Sequence, residues 1–113
     1  TENGEIWVCR SIVTYDSDEQ WYFSKIYHYD GTTWHQKTVR SSSNSGYYDI
    51  HMISDTQGWA IGAAGGMLFS GNGDSWSQVV SPTTDSLYDI YMLDSNNGWA
   101  IGYNGIVLRY MGN

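Results

Sequence analysis

The chain has 113 residues, with five Lys or Arg against twelve Asp or Glu for a formal net charge of −7, and it carries six Trp, ten Tyr and two Phe. A field of that sign repels phosphate backbones and anionic headgroups, so nucleic acid is not an expected partner, and no apolar run approaches the roughly 20 residues of a membrane-crossing helix, so no membrane insertion is expected. Cys9 is the single cysteine and has no intrachain partner, which excludes a disulfide framework and leaves burial of aromatic rings as the main source of cohesion.

In chain order, residues 1 to 46 read as a first and irregular β unit. YHYDGTTWHQKTV, residues 27 to 39, supplies two strands joined by a Gly-containing turn, with Trp34 opening the second strand. Upstream, two registers are open. In one, SIVTY is a first strand, Trp21 takes the place held by Trp59 in the next unit, and EIWV is left over to pair the edge of the last unit. In the other, Trp7 takes that place and EIWVCRSIVTY pairs with WYFSKIYHY as one long hairpin across the DSDEQ turn. The first register has the attraction of covering an unpaired strand edge.

Residues 47 to 86 read as a second unit: YDIHMI and GWAIG as strands on either side of a DTQG turn, MLFSG as a third strand after an AAGG hairpin, and a fourth strand around Trp76, with Pro82 in the link that follows. Residues 87 to 113 repeat the beginning of that pattern. Tyr48, Asp49, Ile50, Met52, Gly58, Trp59, Ala60, Ile61, Gly62 and Leu68 all recur 40 positions later. The third unit stops after three strands. Four short antiparallel strands per repeat of about 40 residues are the sequence pattern of a β-propeller blade, so the expected fold is all-β, in about three blades. No window keeps an apolar stripe at helical spacing for ten residues, and helix content is expected to be near zero. Three blades are too few to close a ring, which points to further blades in a longer chain or to a homo-oligomer, with a six-bladed dimer favoured. The start at Thr1 reads as that of a processed or excised chain.

GWAIG followed by a Gly hairpin, an apolar strand, a Gly turn and a Trp resembles the propeller repeats of the Asp-box group, the bacterial neuraminidase repeats, and most of all the photosystem II assembly-factor-like propellers. The resemblance implies a non-catalytic protein-binding or assembly module of an extracytoplasmic bacterial protein, extracellular or periplasmic. Two alternatives stand beside it, a lectin-like module binding glycans, suggested by the 16% aromatic content, and a piece of a sialidase-like glycosidase. The boxes are worn. In YHYDGTTW, Tyr29 stands at the Asp position of the box, and in FSGNGDSW, Gly71 does. The arginine cluster, acid and tyrosine nucleophile of the sialidases have no matching motif.

Candidate chemistry follows from the repeat. Trp34, Trp59, Trp76 and Trp99, with Gly58 and Gly98, hold repeat-matched positions and are expected to be structural. Tyr47, Tyr48, Asp49, Tyr88, Asp89 and Tyr103 lie at strand starts and turns, where a propeller gathers a ligand-binding face, and phenol rings beside carboxylates suit protein or carbohydrate contacts. Asp49 and Asp89 could approach each other as a glycosidase pair does, but equivalence in successive repeats favours a structural role. His28, His35 and His51 could act as bases, yet no nucleophile elbow accompanies them. Asp16, Asp18 and Glu19 lack the glycine and distal Glu of a calcium loop and read as a solvated turn. No catalytic residue, metal or cofactor is expected.

Overall fold

Short alternating runs punctuated by Gly, Asn and Asp favour strands and tight reversals over any longer element, and the computed structural model of the chain has that form. It describes residues 5–9, 13–18, 20–41, 46–54 and 56–111. The described residues make three antiparallel sheets. The first holds β1 (Ile6–Cys9), β2 (Thr14–Asp16), β3 (Trp21–Tyr29) and β4 (Trp34–Ser41). The second holds β5 (Tyr47–Met52), β6 (Gly58–Gly62), β7 (Met67–Ser70) and β8 (Ser77–Gln78), and the third β9 (Leu87–Asp94), β10 (Asn97–Gly102) and β11 (Val107–Met111). Single 3-10 turns, Ala63–Gly65 and Tyr103–Gly105, join β6 to β7 and β10 to β11. Each sheet is a β-propeller blade.

Strand order in the second blade follows the chain, β5-β6-β7-β8, and the third stops at β9-β10-β11. In the first blade β1 and β2 both pair with β3, through Val8 opposite Tyr27 and Tyr15 opposite Tyr22, while β4 lines the other edge of β3. This is the arrangement of the long hairpin. Trp7 opposite His28 matches Trp59 opposite Phe69, so Trp7 takes the Trp59 position, and Trp21 does not. The EIWV strand is therefore spoken for within its own blade and is not left to complete the last one. Ser11 and Ile12 of SIVTY, Asp55 of the DTQG turn and Glu19 of the acidic cluster lie outside the described residues.

Blades stack face to face. Between the first and second lie Ile26, Val39, Tyr47, Ala60 and Leu68, with Trp7, Cys9, Ile50 and Trp76 packed on them. Between the second and third lie Trp59, Ile61, Leu87, Ile90, Met92 and Ala100. The repeat explains both layers, since Tyr47, Ile50, Ala60 and Leu68 hold the places of Leu87, Ile90, Ala100 and Leu108 forty positions on. Every blade thus shows one apolar face to the blade before it and another to the blade after it. At the ends of the stack those faces are bare: Ile61 is fully covered while its counterpart Ile101 is 47% exposed, and Trp59 is 9% exposed against 39% for Trp99. Trp34 is 56% exposed and rests on Tyr29, ring centroids 5.2 Å apart. Its repeat-mate Trp76 reaches across to the preceding blade. Trp34 has no described blade to reach and packs within its own blade instead.

The worn Asp boxes keep their turn chemistry one residue later. Asp30 Oδ1 accepts the N–H groups of Thr32 and Thr33, at 2.8 and 2.9 Å. Asn72 Oδ1 accepts those of Asp74 and Ser75, at 2.9 and 2.8 Å. A short side chain that bonds backbone two and three residues ahead closes the turn without an Asp at the box position.

Gly65 and Gly105 are equivalent turn positions with φ of +74° and +71°. A methyl group at Gly65 would run into the Thr83 carbonyl, whereas one at Gly105 meets nothing. Urea unfolding should therefore show Gly105→Ala losing about 1 kcal/mol, the left-handed backbone term alone, and Gly65→Ala losing at least about 1 kcal/mol more for the collision. Equal losses would remove the Thr83 contact from this account.

Candidate functional site

The innermost strands β5 and β9 lie side by side and run in the same direction, without backbone pairing between them. Side chains join them instead. Asp49 Oδ2 accepts the N–H of Ile90 at 3.0 Å, and His51 Nδ1 accepts the N–H of Met92 at 2.8 Å. Acceptance at Nδ1 places the His51 proton on Nε2. Residues 49 and 51 project from the same side of β5 because side chains alternate along a strand. The same row brings equivalent residues of the two blades together: Tyr48 and Tyr88 rings 5.4 Å apart, His51 and Tyr91 5.2 Å apart, and the Asp49 carboxyl in hydrogen-bonding contact with Asp89. Tyr48, Tyr88 and Tyr91 remain exposed at the surface of this row.

Burial, opposed by the Ile90 N–H and reinforced by the Asp89 carboxyl, pushes Asp49 above the ordinary carboxylate range. Burial and then the Asp49 charge push the Cys9 thiol up to about 12. Cys9 is thus a packed thiol and not a nucleophile. Elsewhere N–H donors pull the other way. The backbone of Thr33, then His35 and Thr32, hold Asp30 well below the usual range, and the Asn96 backbone with the Asn97 amide lowers Asp94.

Of the six candidate ligand residues, Tyr48, Asp49, Tyr88 and Asp89 come together in the row. Tyr103 is exposed on the turn after β10, at the end of the third blade where β9 begins. Tyr47 does not belong. It is 1% exposed, its hydroxyl donates to the Arg40 carbonyl at 2.5 Å, and burial raises it to about 12. Its strand-start position had suggested a ligand face, but a β-bulge between Tyr47 and Asp49 interrupts the alternation and leaves Tyr47 in the core with Ile50 while Tyr48 stays exposed. Asp16 closes its own turn, its Oδ1 accepting the Asp18 N–H at 2.9 Å. Among the described residues no group of three or more His, Cys, Asp and Glu could hold a metal ion.

Sequence reasoning missed one feature. At the opposite end of the stack, an open cleft of about 530 Å³ between the first and second blades is lined by Glu5, Trp7, His28, His35, Lys37 and Asp74, among others. His28 stacks on Trp7 at 3.9 Å and meets the Glu5 carboxylate, His35 bonds Asp30 at 2.7 Å, and Lys37 bonds Asp74 at 3.1 Å. The available signal was the pairing of His28 opposite His35 across the β3-β4 hairpin. Each charged group there already has a partner of opposite character, so the cleft is a tied polar seam.

A family model described as "Photosynthesis system II assembly factor YCF48" matches residues 1–111. A solved structure described as YCF48 bound to D1 peptide is similar to this chain with a TM-score of 0.65 at 24% identity, over 89% of this chain and 36% of that one. YCF48 from Cyanidioschyzon merolae is similar with a TM-score of 0.58 at 21% identity, over 80% of this chain and 33% of that one. The chain spans about a third of the length of either. Curated proteins yield no match.

A carboxyl raised in the folded state binds its proton more tightly there, so Asp49 costs the native state stability as pH rises from the ordinary value of 3.8 through the raised one. Asp30 and Asp94 act below that window and with opposite sign, contributing stability that is lost as pH falls. Asp49→Asn keeps an oxygen for Ile90 and removes the charge. Thermal melts should show the variant gaining on the native chain at about pH 7 and the gap closing toward about pH 4. A gap independent of pH would contradict the assignment. For Cys9, labelling by a disulfide reagent at about pH 8 should run at least about tenfold slower in the folded chain than in urea.

Proposed function

The chain belongs to the family of the photosynthesis system II assembly factor YCF48, and on that footing we propose that it is a non-catalytic β-propeller module that binds an extended segment of a protein partner. The row along β5 and β9 carries the proposal. It offers two exposed phenol rings at Tyr48 and Tyr88, 5.4 Å apart, next to the carboxyls of Asp49 and Asp89. Such a surface suits a peptide: rings take apolar side chains, while the carboxyl at Asp89 and the phenol hydroxyls accept backbone N–H groups or a basic side chain. The solved relative bound to a D1 peptide makes peptide binding the favoured reading for this chain as well.

The chemistry of the row favours binding over catalysis. Asp49 is engaged by the Ile90 amide, His51 by the Met92 amide, and Cys9 is held as a thiol. A glycosidase would need two free carboxyl groups facing a sugar, and here one is a link between blades. The bare faces around Trp34 and Trp99 favour a working assembly of more than three blades, from a longer chain or from a second copy.

Titration of the chain with a labelled D1 peptide, followed by fluorescence anisotropy, tests the reading. Saturable binding is expected, weakened about tenfold (about 1.4 kcal/mol) by Tyr88→Ala and further by Tyr48→Ala, with the circular dichroism spectrum unchanged. Binding that ignores both substitutions would place the peptide elsewhere, and no binding to the chain would remove it as a partner.

A further inference from the structure

His51 holds a place that the repeat does not fix. Forty positions on, its counterpart is Tyr91, so the blade fold does not itself call for an imidazole there. The ring accepts the N–H of Met92 at 2.8 Å through Nδ1, and Met92 is a core residue, 5% exposed. Only the neutral ring has a nitrogen free to accept, because imidazolium carries N–H on both. Gain of one proton turns this acceptor into a donor that faces a donor. The neighbouring link does not share the weakness: the Asp49 carboxyl keeps an acceptor oxygen for the Ile90 N–H whether or not it is protonated. His51 is half-buried and lies on the wall of an open cavity of about 400 Å³, shared with Ser54, Gln57, Met92, Asp94 and Ser95 among others, so water has a route to the ring. The titratable groups around it are Asp49 on its own strand and Asp89, Tyr91 and Asp94 on β9, with Cys9 against Asp49, while its partner across β6 is the uncharged Trp59. The Asn96 backbone and the Asn97 amide hold Asp94 below the usual carboxylate range. Its charge is therefore available on the far side of the cavity.

We propose that His51 is an acid-operated latch between the second and third blades. In its neutral form it holds the Met92 N–H and closes the junction. On gaining a proton it lets go of the amide and turns across the cavity to the Asp94 carboxylate. Opening removes one of the two side-chain links between β5 and β9 and leaves Asp49 as the pivot. The same two strands carry Tyr48 and Tyr88, with rings 5.4 Å apart, so the latch also sets the spacing of that pair. For the peptide row, a consequence that rests on the reading proposed above, the closed latch is the binding form and acid weakens the hold on a partner.

Long-range proton–nitrogen NMR correlations of the labelled chain report which ring nitrogens of His51 carry protons, and hydrogen exchange reports the Met92 amide. A bare Nδ1 is expected at about pH 7.5 and protons on both nitrogens at about pH 5.5, with protection of the Met92 amide falling at least about tenfold while that of Ile90 changes by less than about threefold. His51→Asn puts an oxygen where Nδ1 stands and removes the titration, so its Met92 amide should stay equally protected at both pH values. Asp94→Asn should move the second protonation of His51 to lower pH. A proton on Nδ1 at about pH 7.5, Met92 protection that survives protonation of the ring, or equal losses at Ile90 and Met92 would each overturn the latch, and an unmoved titration in Asp94→Asn would remove Asp94 as the receiving group. The coupling to binding is read separately. Labelled D1 peptide should bind at least about threefold more weakly at about pH 5.5 than at about pH 7.5, and His51→Asn should abolish that difference. The same loss of affinity in His51→Asn would overturn the coupling. Absence of binding at either pH would remove the peptide reading and leave the latch to stand or fall on the exchange data.

Discussion

An antiparallel sheet leaves the N–H groups on the inner edge of its first strand without a strand to accept them, and a buried N–H with no acceptor costs roughly 1–3 kcal/mol. Asp49 and His51 answer that constraint for the third blade. Their side chains reach from β5 to the amides of Ile90 and Met92, two residues apart on each side, and fix the register of neighbouring blades without a shared ladder. The rest of the junction depends on this alignment. Only in this phase do Ile61 and Trp59 meet Ile90, Met92 and Ala100. The carboxyl that makes the link is pushed up by the burial the link imposes, so the electrostatic strain at Asp49 is a direct consequence of how the blades are keyed.

Much of the fold was legible because the repeat puts the same demands on the chain twice. Tyr48, Asp49, Gly58 and Trp59 have counterparts at Tyr88, Asp89, Gly98 and Trp99, and two matched copies define both strand order and turns. The first blade was less legible because both β1 and β2 pair with the one strand β3 and its boxes have drifted. Pairing partners alone separate Trp7 from Trp21 there, and pairing is not a local property of sequence.

The site was legible in part. A β-bulge at the start of β5 separates Tyr47 from Tyr48, and a run of two tyrosines at a strand start shows neither the bulge nor which ring faces out. The role of His51 was hidden for a different reason: its partner is a backbone N–H 41 residues away, and backbone groups leave no trace in side-chain patterns. The exposure of Trp34 was not legible because a repeat position predicts a contact between blades only where a neighbouring blade is described to make it. The cleft around His28 depends on His28 and His35 meeting across the β3-β4 hairpin and on the second blade closing over them, which no local pattern records.

The links at Asp49 and His51 also make each blade directional. A blade accepts from the one after it through residues 49 and 51, and donates to the one before it through amides such as those of 90 and 92. In this respect blades are monomers of a polymer, each with a head and a tail, and Asp89 repeats the carboxyl half of the head while Tyr91 stands in the place of His51. Tandem duplication of a 40-residue unit adds one head and one tail together, so growth by duplication leaves no new unmatched end. The number of blades in such an array is then governed by the angle between successive sheets, which sets where the last tail meets the first head, and the chemistry of the links is indifferent to it.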